Sequence, residues 1–209
     1  MKGDSKGEKI VTILGVLVLA LFLLRFGTEM RTGIHMPRET GAMQTARVIR
    51  LAMFQYARDH GGKYPHGESS TEIFQKLVDG RYLSSPDVCF LEMPGKVCAD
   101  ANAARLSPKN VGYDVTVPMT EKTPEFVPSV FATGYRIEYK PGGSAIPLAD
   151  HSRPDACQDG LPVAYANNNA YYKHARDPNG VVMNVIPANA NLGPGPYIQL
   201  TPEGPLAGN

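Results

Sequence analysis

The chain has almost no net charge. Its 21 Lys and Arg against 20 Asp and Glu leave +1 over 209 residues. That excludes the long-range field that gathers nucleic acid or an acidic partner. Tryptophan is absent, so aromatic contacts fall to ten tyrosines and seven phenylalanines. Cysteine is scarce: Cys89, Cys98 and Cys157 allow three single pairings, between which the sequence does not choose. There is no Gly-x-Ser-x-Gly, no His-Glu-x-x-His, no phosphate loop and no Cys-x-x-Cys. The usual sequence warrants for an enzyme are therefore missing. Gly142-Gly143-Ser144 is a turn composition. No internal repeat is present.

Glycine (21) and proline (18) are plentiful, mostly after residue 60. That composition favours a loop-rich, partly β domain over a helical bundle. The length fits one domain plus an anchor, with enough chain for a hydrophobic core. The anchor is the run from Ile10 to Leu24, which holds no charge between Lys9 and Arg25. At about 1.5 Å per residue it reaches roughly 22 Å, short of a hydrocarbon core of about 30 Å. Phe26 and Gly27 extend it, and Lys9 and Arg25 can snorkel to the interfaces. A cleaved secretion signal is the competing reading. It wants small residues before the cut, and Leu24-Arg25-Phe26-Gly27 follows instead. Lys2, Lys6 and Lys9 face Arg25, Arg31 and Arg38 across the run, a slight lean toward a cytoplasmic N-terminus. Cys89 and Cys98, nine apart in a Pro/Gly-rich loop, point the same way if bonded. Three free buried thiols are the plainer alternative.

Gly27, Gly33, Pro37 and Gly41 interrupt the chain after the anchor. A helix is then expected from Arg38 to His60, with apolar residues at Val48, Leu51 and Ala52 and at Ile49, Met53 and Tyr56. Gly61-Gly62 stops it. Ser69 and Glu72 form a capping box for a second helix that Gly80 closes. Leu83 to Asn110 reads as a long irregular loop. Strand patterns follow at Tyr113–Val117, at Val130–Tyr139 with a slip near Gly134, and at Val181–Ile186 and Tyr197–Leu200. Pro162–Ala166 and Ala170–His174 flank Asn167-Asn168-Asn169, a hairpin composition because Asn tolerates positive φ. The tail from Pro202 is expected to be loose.

The segment Ala46 to Pro65 carries Ile49, Leu51, Ala52, Tyr56, Ala57, Asp59, Gly62, Tyr64 and Pro65 in the places of a recognisable line. It resembles the stretch after the membrane helix in bacterial type IV pilin-like and type II secretion pseudopilin proteins, closest to the planctomycete-type variants. Leu77 to Leu83 and the Ser85-Pro86-Asp87 turn continue the likeness. The prepilin cleavage motif is degenerate: Glu8 follows Gly7, and Thr12 stands where that family carries glutamate. The resemblance implies an α+β fold, with an N-terminal transmembrane helix continuing into an amphipathic helix packed on an antiparallel sheet. It divides the chain into a cytoplasmic tail (1–9), transmembrane helix (10–27), kinked linker (28–37), pilin-like ectodomain (38–201) and tail (202–209). It implies a structural subunit or accessory protein of a secretion or pilus-type system at the bacterial inner membrane. The ectodomain would lie outside the cytoplasm, as a single-pass membrane protein in the periplasm. Its partners would be the membrane and other pilin-like subunits through the N-terminal helix, with no nucleic acid.

No catalytic, cofactor or metal residue is assigned. The polar run Asp150, His151, Asp155, Cys157 and Asp159 is read as a solvated loop, with calcium as the first alternative and zinc through His151 and Cys157 as the second. His60 and His66 are read as a polar helix exit rather than a metal or acid–base pair. Tyr171, Tyr172, His174 and Arg176 suit a half-buried strand. The other reading is an aromatic strip for sugars, which would make the chain a tethered polysaccharide-binding module. A hydrolytic enzyme would need a concave site lined by His151, Cys157 or His174.

Overall fold

A computed structural model describes residues 38–149, 157, 159–193 and 195–206. Helix α1 spans Arg38–Asp59. Glu39 in its first turn and Arg58 in its last complement the helix dipole. Its buried stripe runs through Ala42, Ala46, Ile49, Met53 and Ala57 at helical spacing. Four alanines on the buried side (42, 46, 52 and 57) let the backbone lie close to what it covers. The end comes at Gly61 and Gly62, both at positive φ (64° and 83°), and the Gly62 N–H closes onto the Ala57 carbonyl at 2.7 Å.

Helix α2 spans Ser70–Asp79. The Ser69 hydroxyl accepts from the Glu72 amide at 3.2 Å, as expected of its cap. Glu72 reaches one residue further back than a capping box requires, to the Glu68 amide at 3.0 Å. The far end differs from expectation. Gly80 stays right-handed (φ −78°), and Arg81 takes the left-handed position at φ 60°. The Tyr82 N–H then reaches the Leu77 carbonyl at 2.8 Å. A side chain in that conformation costs about 1–2 kcal/mol, part of which glycine gives back as unfolded-state entropy. Arg81→Gly is therefore expected to raise stability by up to about 1 kcal/mol. Thermal unfolding checks it, and an unchanged midpoint would mean that Arg81 carries no strain.

Seven strands follow: β1 (Tyr113–Val117), β2 (Pro128–Ala132), β3 (Tyr135–Ile137), β4 (Ala145–Pro147), β5 (Gly160–Tyr165), β6 (Ala170–His174) and β7 (Ile198–Leu200). Five form an antiparallel sheet in the order β6-β5-β2-β1-β7, and β3 pairs with β4 in a separate hairpin. The register Tyr113↔Ala132 and Val130↔Ala164 puts Tyr113, Val115, Val130, Ala132 and Ala164 on one face. That is the α1 face: the Tyr113 hydroxyl donates to the Ala42 carbonyl at 3.1 Å. The opposite face holds Asp114, Thr116, Phe131, Val163 and Tyr165. The β3–β4 hairpin and the segment around Val185 cover it, with the Tyr165 hydroxyl donating to the Val185 carbonyl at 2.5 Å. The central strands β1, β2 and β5 are therefore buried on both sides.

The expected fold class is corrected. The described structure is a mixed α/β arrangement of two α-helices with a five-stranded antiparallel sheet. No described helix is long and apolar enough to cross a membrane. The physical reason is visible in α1, which carries Arg38, Glu39, Arg47, Arg50, Arg58 and Asp59. Charges at that density are costly in lipid. The stretch 10–27, expected as a transmembrane helix, lies outside the described residues. The single-pass, transmembrane, pilin and secretion descriptions gain no support from the described structure.

Three smaller expectations also change. The run Val130–Tyr139 is two strands in two sheets, because Gly134 at φ 94° turns the chain out of the main sheet. Val181–Ile186 contributes one bridge, Val182 to Ala145, before the chain turns at Asn184 (φ 52°). Residues 202–206 are not loose: the Leu206 N–H donates to the Gln199 carbonyl at 3.0 Å, and Pro205 bridges Leu200.

Candidate functional site

The β5–β6 hairpin forms one wall of a polar concavity. Asn168 sits at φ 64° in its turn, and the Asn169 amide donates to Asn167 Oδ1 at 3.0 Å. The ladder runs from Ala164↔Ala170 to Gly160↔His174, which makes β6 an edge strand of the sheet. Alternation then divides the tyrosines that the sequence sets side by side. Tyr171 and Lys173 share one face of the sheet, and Tyr172 and His174 share the other.

A cleft of about 340 Å³ opens beside this edge, lined by Tyr172, Lys173, His174, Arg176, Met183 and Asn184. Tyr172 is fixed in it: its hydroxyl donates to Asp159 Oδ1 at 2.6 Å, and its ring meets His174 edge-on at 5.0 Å. His174 Nδ1 lies 3.8 Å from Asp159 Oδ2. Lys173 Nζ stands 5.7 Å from the centre of the Tyr171 ring, which is half exposed. Among the described residues, neither Lys173 nor Arg176 meets a carboxylate. Three members of the expected strip therefore line one cleft. Tyr171 stands apart on the opposite face from Tyr172.

The other polar candidates disperse. Asp150, His151 and Asp155 lie outside the described residues. Cys157 is buried and Asp159 is exposed. No group of described His, Cys, Asp or Glu side chains could hold a metal. No disulfide joins Cys89, Cys98 and Cys157. Cys89 is in the core, where burial pushes its thiol up to about 12, whereas Cys98 is exposed. His60 accepts a local role, stacked on Tyr56 at 3.8 Å with Nδ1 2.8 Å from the Tyr56 carbonyl. His66 is exposed, and its carbonyl receives Lys76 Nζ at 2.6 Å.

Two charged groups are buried, Asp114 and Arg50, although helical spacing sets Arg50, with Arg47, Arg58 and Asp59, largely off the apolar face of α1. Asp114 is fully buried under the β3–β4 hairpin. Gln199 Nε2 donates to its Oδ2 at 2.7 Å and to the Tyr135 carbonyl at 2.6 Å, while Gln199 Oε1 accepts from the Ile137 amide at 3.1 Å. Asp114 Oδ1 has no hydrogen-bond partner. Burial pushes the carboxyl up to about 7, against the pull of Gln199 and Thr133. On the other face, Arg50 of α1 is 2% exposed. Its Nη2 donates to the Ala166 carbonyl at 2.7 Å and to the Tyr64 hydroxyl at 3.1 Å, while Nε and Nη1 have no partner.

The outer face of α1 is the remaining surface of note. Val48 is 48% exposed and Leu51 38%, whereas Ala52, expected beside them, is buried. No family model, curated protein or solved structure matches this chain.

Proposed function

We propose that the chain is a structural subunit of pilin-like type and not an enzyme, and that it associates with further copies through the outer face of α1. One observation carries this reading. The inner stripe of α1 is spent on the sheet, yet Val48 and Leu51, three residues apart, remain exposed on the outside. Gln44, Arg47 and Gln55 are also exposed there, a polar surround suited to a helix-to-helix contact between subunits. The family resemblance over Ala46–Leu83 supports the same role. Association with the inner membrane, with the folded domain outside the cytoplasm, belongs to the same proposal.

Sedimentation velocity of the full chain tests it. The wild type is expected to self-associate at micromolar to millimolar concentration, and Val48→Asp/Leu51→Asp to sediment as a monomer with an unchanged melting temperature. A wild type that stays monomeric throughout, or a double variant that associates equally, would sink the reading.

A further inference from the structure

We infer that the cleft beside β6 is a binding site for an acidic polysaccharide, a sugar chain bearing carboxylates. The inference stands apart from the assembly reading, since it uses the sheet edge and none of the exposed α1 residues.

The chemistry follows from what lines the cleft. Lys173 and Arg176 are cations that no described carboxylate neutralises. They are three residues apart in nearly extended chain, which separates them by roughly 10 Å. A single small anion fits one such cation. A polymer with repeated charges fits both. Tyr172 and Met183 supply apolar surface for the C–H faces of sugar rings, and the Tyr172 ring is held in place by Asp159. Asn184 offers an amide able to donate to and accept from sugar hydroxyls. Its φ of 52° is a turn conformation that Asn tolerates, and it sets the exposed amide at the cleft. Nucleic acid would also use cations and aromatic faces. The chain's +1 offers no long-range field to either polyanion, so the attraction is the short-range one of Lys173 and Arg176, and the oligonucleotide control below decides between the two.

The site is preformed in one important respect. Asp159 engages both Tyr172 and His174 from outside the cleft lining, so the polar contacts that orient the walls do not have to be broken to admit a ligand. Lys173 and Arg176 remain available for carboxylates.

Affinity electrophoresis of the full chain in gels containing polygalacturonate tests the inference, with neutral dextran and a single-stranded oligonucleotide as controls. Polygalacturonate is expected to retard the wild type, and dextran and the oligonucleotide to leave its mobility unchanged. Lys173→Gln/Arg176→Gln is expected to weaken retardation at least tenfold, and Asn184→Gly, which keeps the backbone conformation without the amide, several-fold. Both variants change partly or fully exposed positions, and an unchanged thermal midpoint verifies their fold. Equal retardation of the charge variant, or equal binding of dextran or the oligonucleotide, would overturn the assignment. The Val48→Asp/Leu51→Asp variant serves as the separating control: it is expected to keep polygalacturonate binding whether or not the wild type self-associates.

Discussion

Acidification from pH 8 to pH 5 is expected to stabilise the folded domain through Asp114, by roughly 2–3 kcal/mol. The carboxyl has an ordinary value of 3.8 and is pushed up to about 7 by complete burial. Between those two values the folded state holds a proton that the unfolded state has released. Stability therefore falls as pH rises through that window, and above it the cost is fully present. Gln199, bonded to Oδ2, and Thr133 pull the value down but do not offset complete burial, which is the largest cause. The more distant charges divide: Glu203 raises the value further and Lys96 lowers it. Asp114→Asn is expected to abolish this contribution, because the amide is neutral throughout and can still accept from Gln199. The measurement is the difference in melting temperature between wild type and variant across pH 4 to 8. At about 2–4 °C per kcal/mol for a domain this size, the variant should lead by several degrees at pH 8 and converge with the wild type near pH 4. A difference that stays constant across that range would show that Asp114 does not titrate in the native state.

Asp114 also shows which level of the structure was legible in the sequence. Tyr113-Asp114-Val115-Thr116-Val117 alternates as a strand does, and the strand is there. Alternation in one strand implies one apolar face on a core and one polar face in water. Here the polar face is buried too, because β3, β4 and the segment around Val185 lie over it. Nothing local announces that second cover. Strand β4 is three residues long, and the Val185 segment is irregular, so neither offers a period to read. The helices and the Asn hairpin were legible because their caps and turns are set by adjacent residues. The outer face of α1 was half legible. Val48, Leu51 and Ala52 share helical spacing, but only the position of the sheet decides that Ala52 goes in while Val48 and Leu51 stay out. The cleft beside β6 followed the same rule. Its β6 side was present in the sequence as Tyr172, His174 and Arg176. Met183 and Asn184 come from the irregular cover, which is why the concavity itself could not be foreseen.

Arg50→Met is expected to leave the domain at least as stable as the wild type, while Arg50→Ala loses about 3 kcal/mol or more relative to Met. The reasoning starts from the guanidinium, which keeps its charge at any ordinary pH, although burial pushes its pKa down with Tyr64 opposing. Almost no solvent reaches it, and no described carboxylate contacts it. Its compensation is two hydrogen bonds from Nη2 and the faces of Tyr64 and Phe54, whose ring centres lie 5.1 and 6.0 Å from Cζ. Cation–π contacts of that kind contribute about 1–2 kcal/mol together, whereas an incompletely satisfied buried ion costs several. Methionine keeps most of the volume against those two rings and removes the charge. Its penalty is the Ala166 carbonyl, which loses a donor beside the hairpin turn and costs about 1–3 kcal/mol. Alanine carries that same penalty and adds a cavity between α1 and β5. Chemical denaturation of the three proteins, compared by midpoint, distinguishes the contributions. If Met and Ala variants fall equally below the wild type, the guanidinium's two hydrogen bonds outweigh both its desolvation and its packing, and the side chain is a clamp tying α1 to the β5–β6 hairpin.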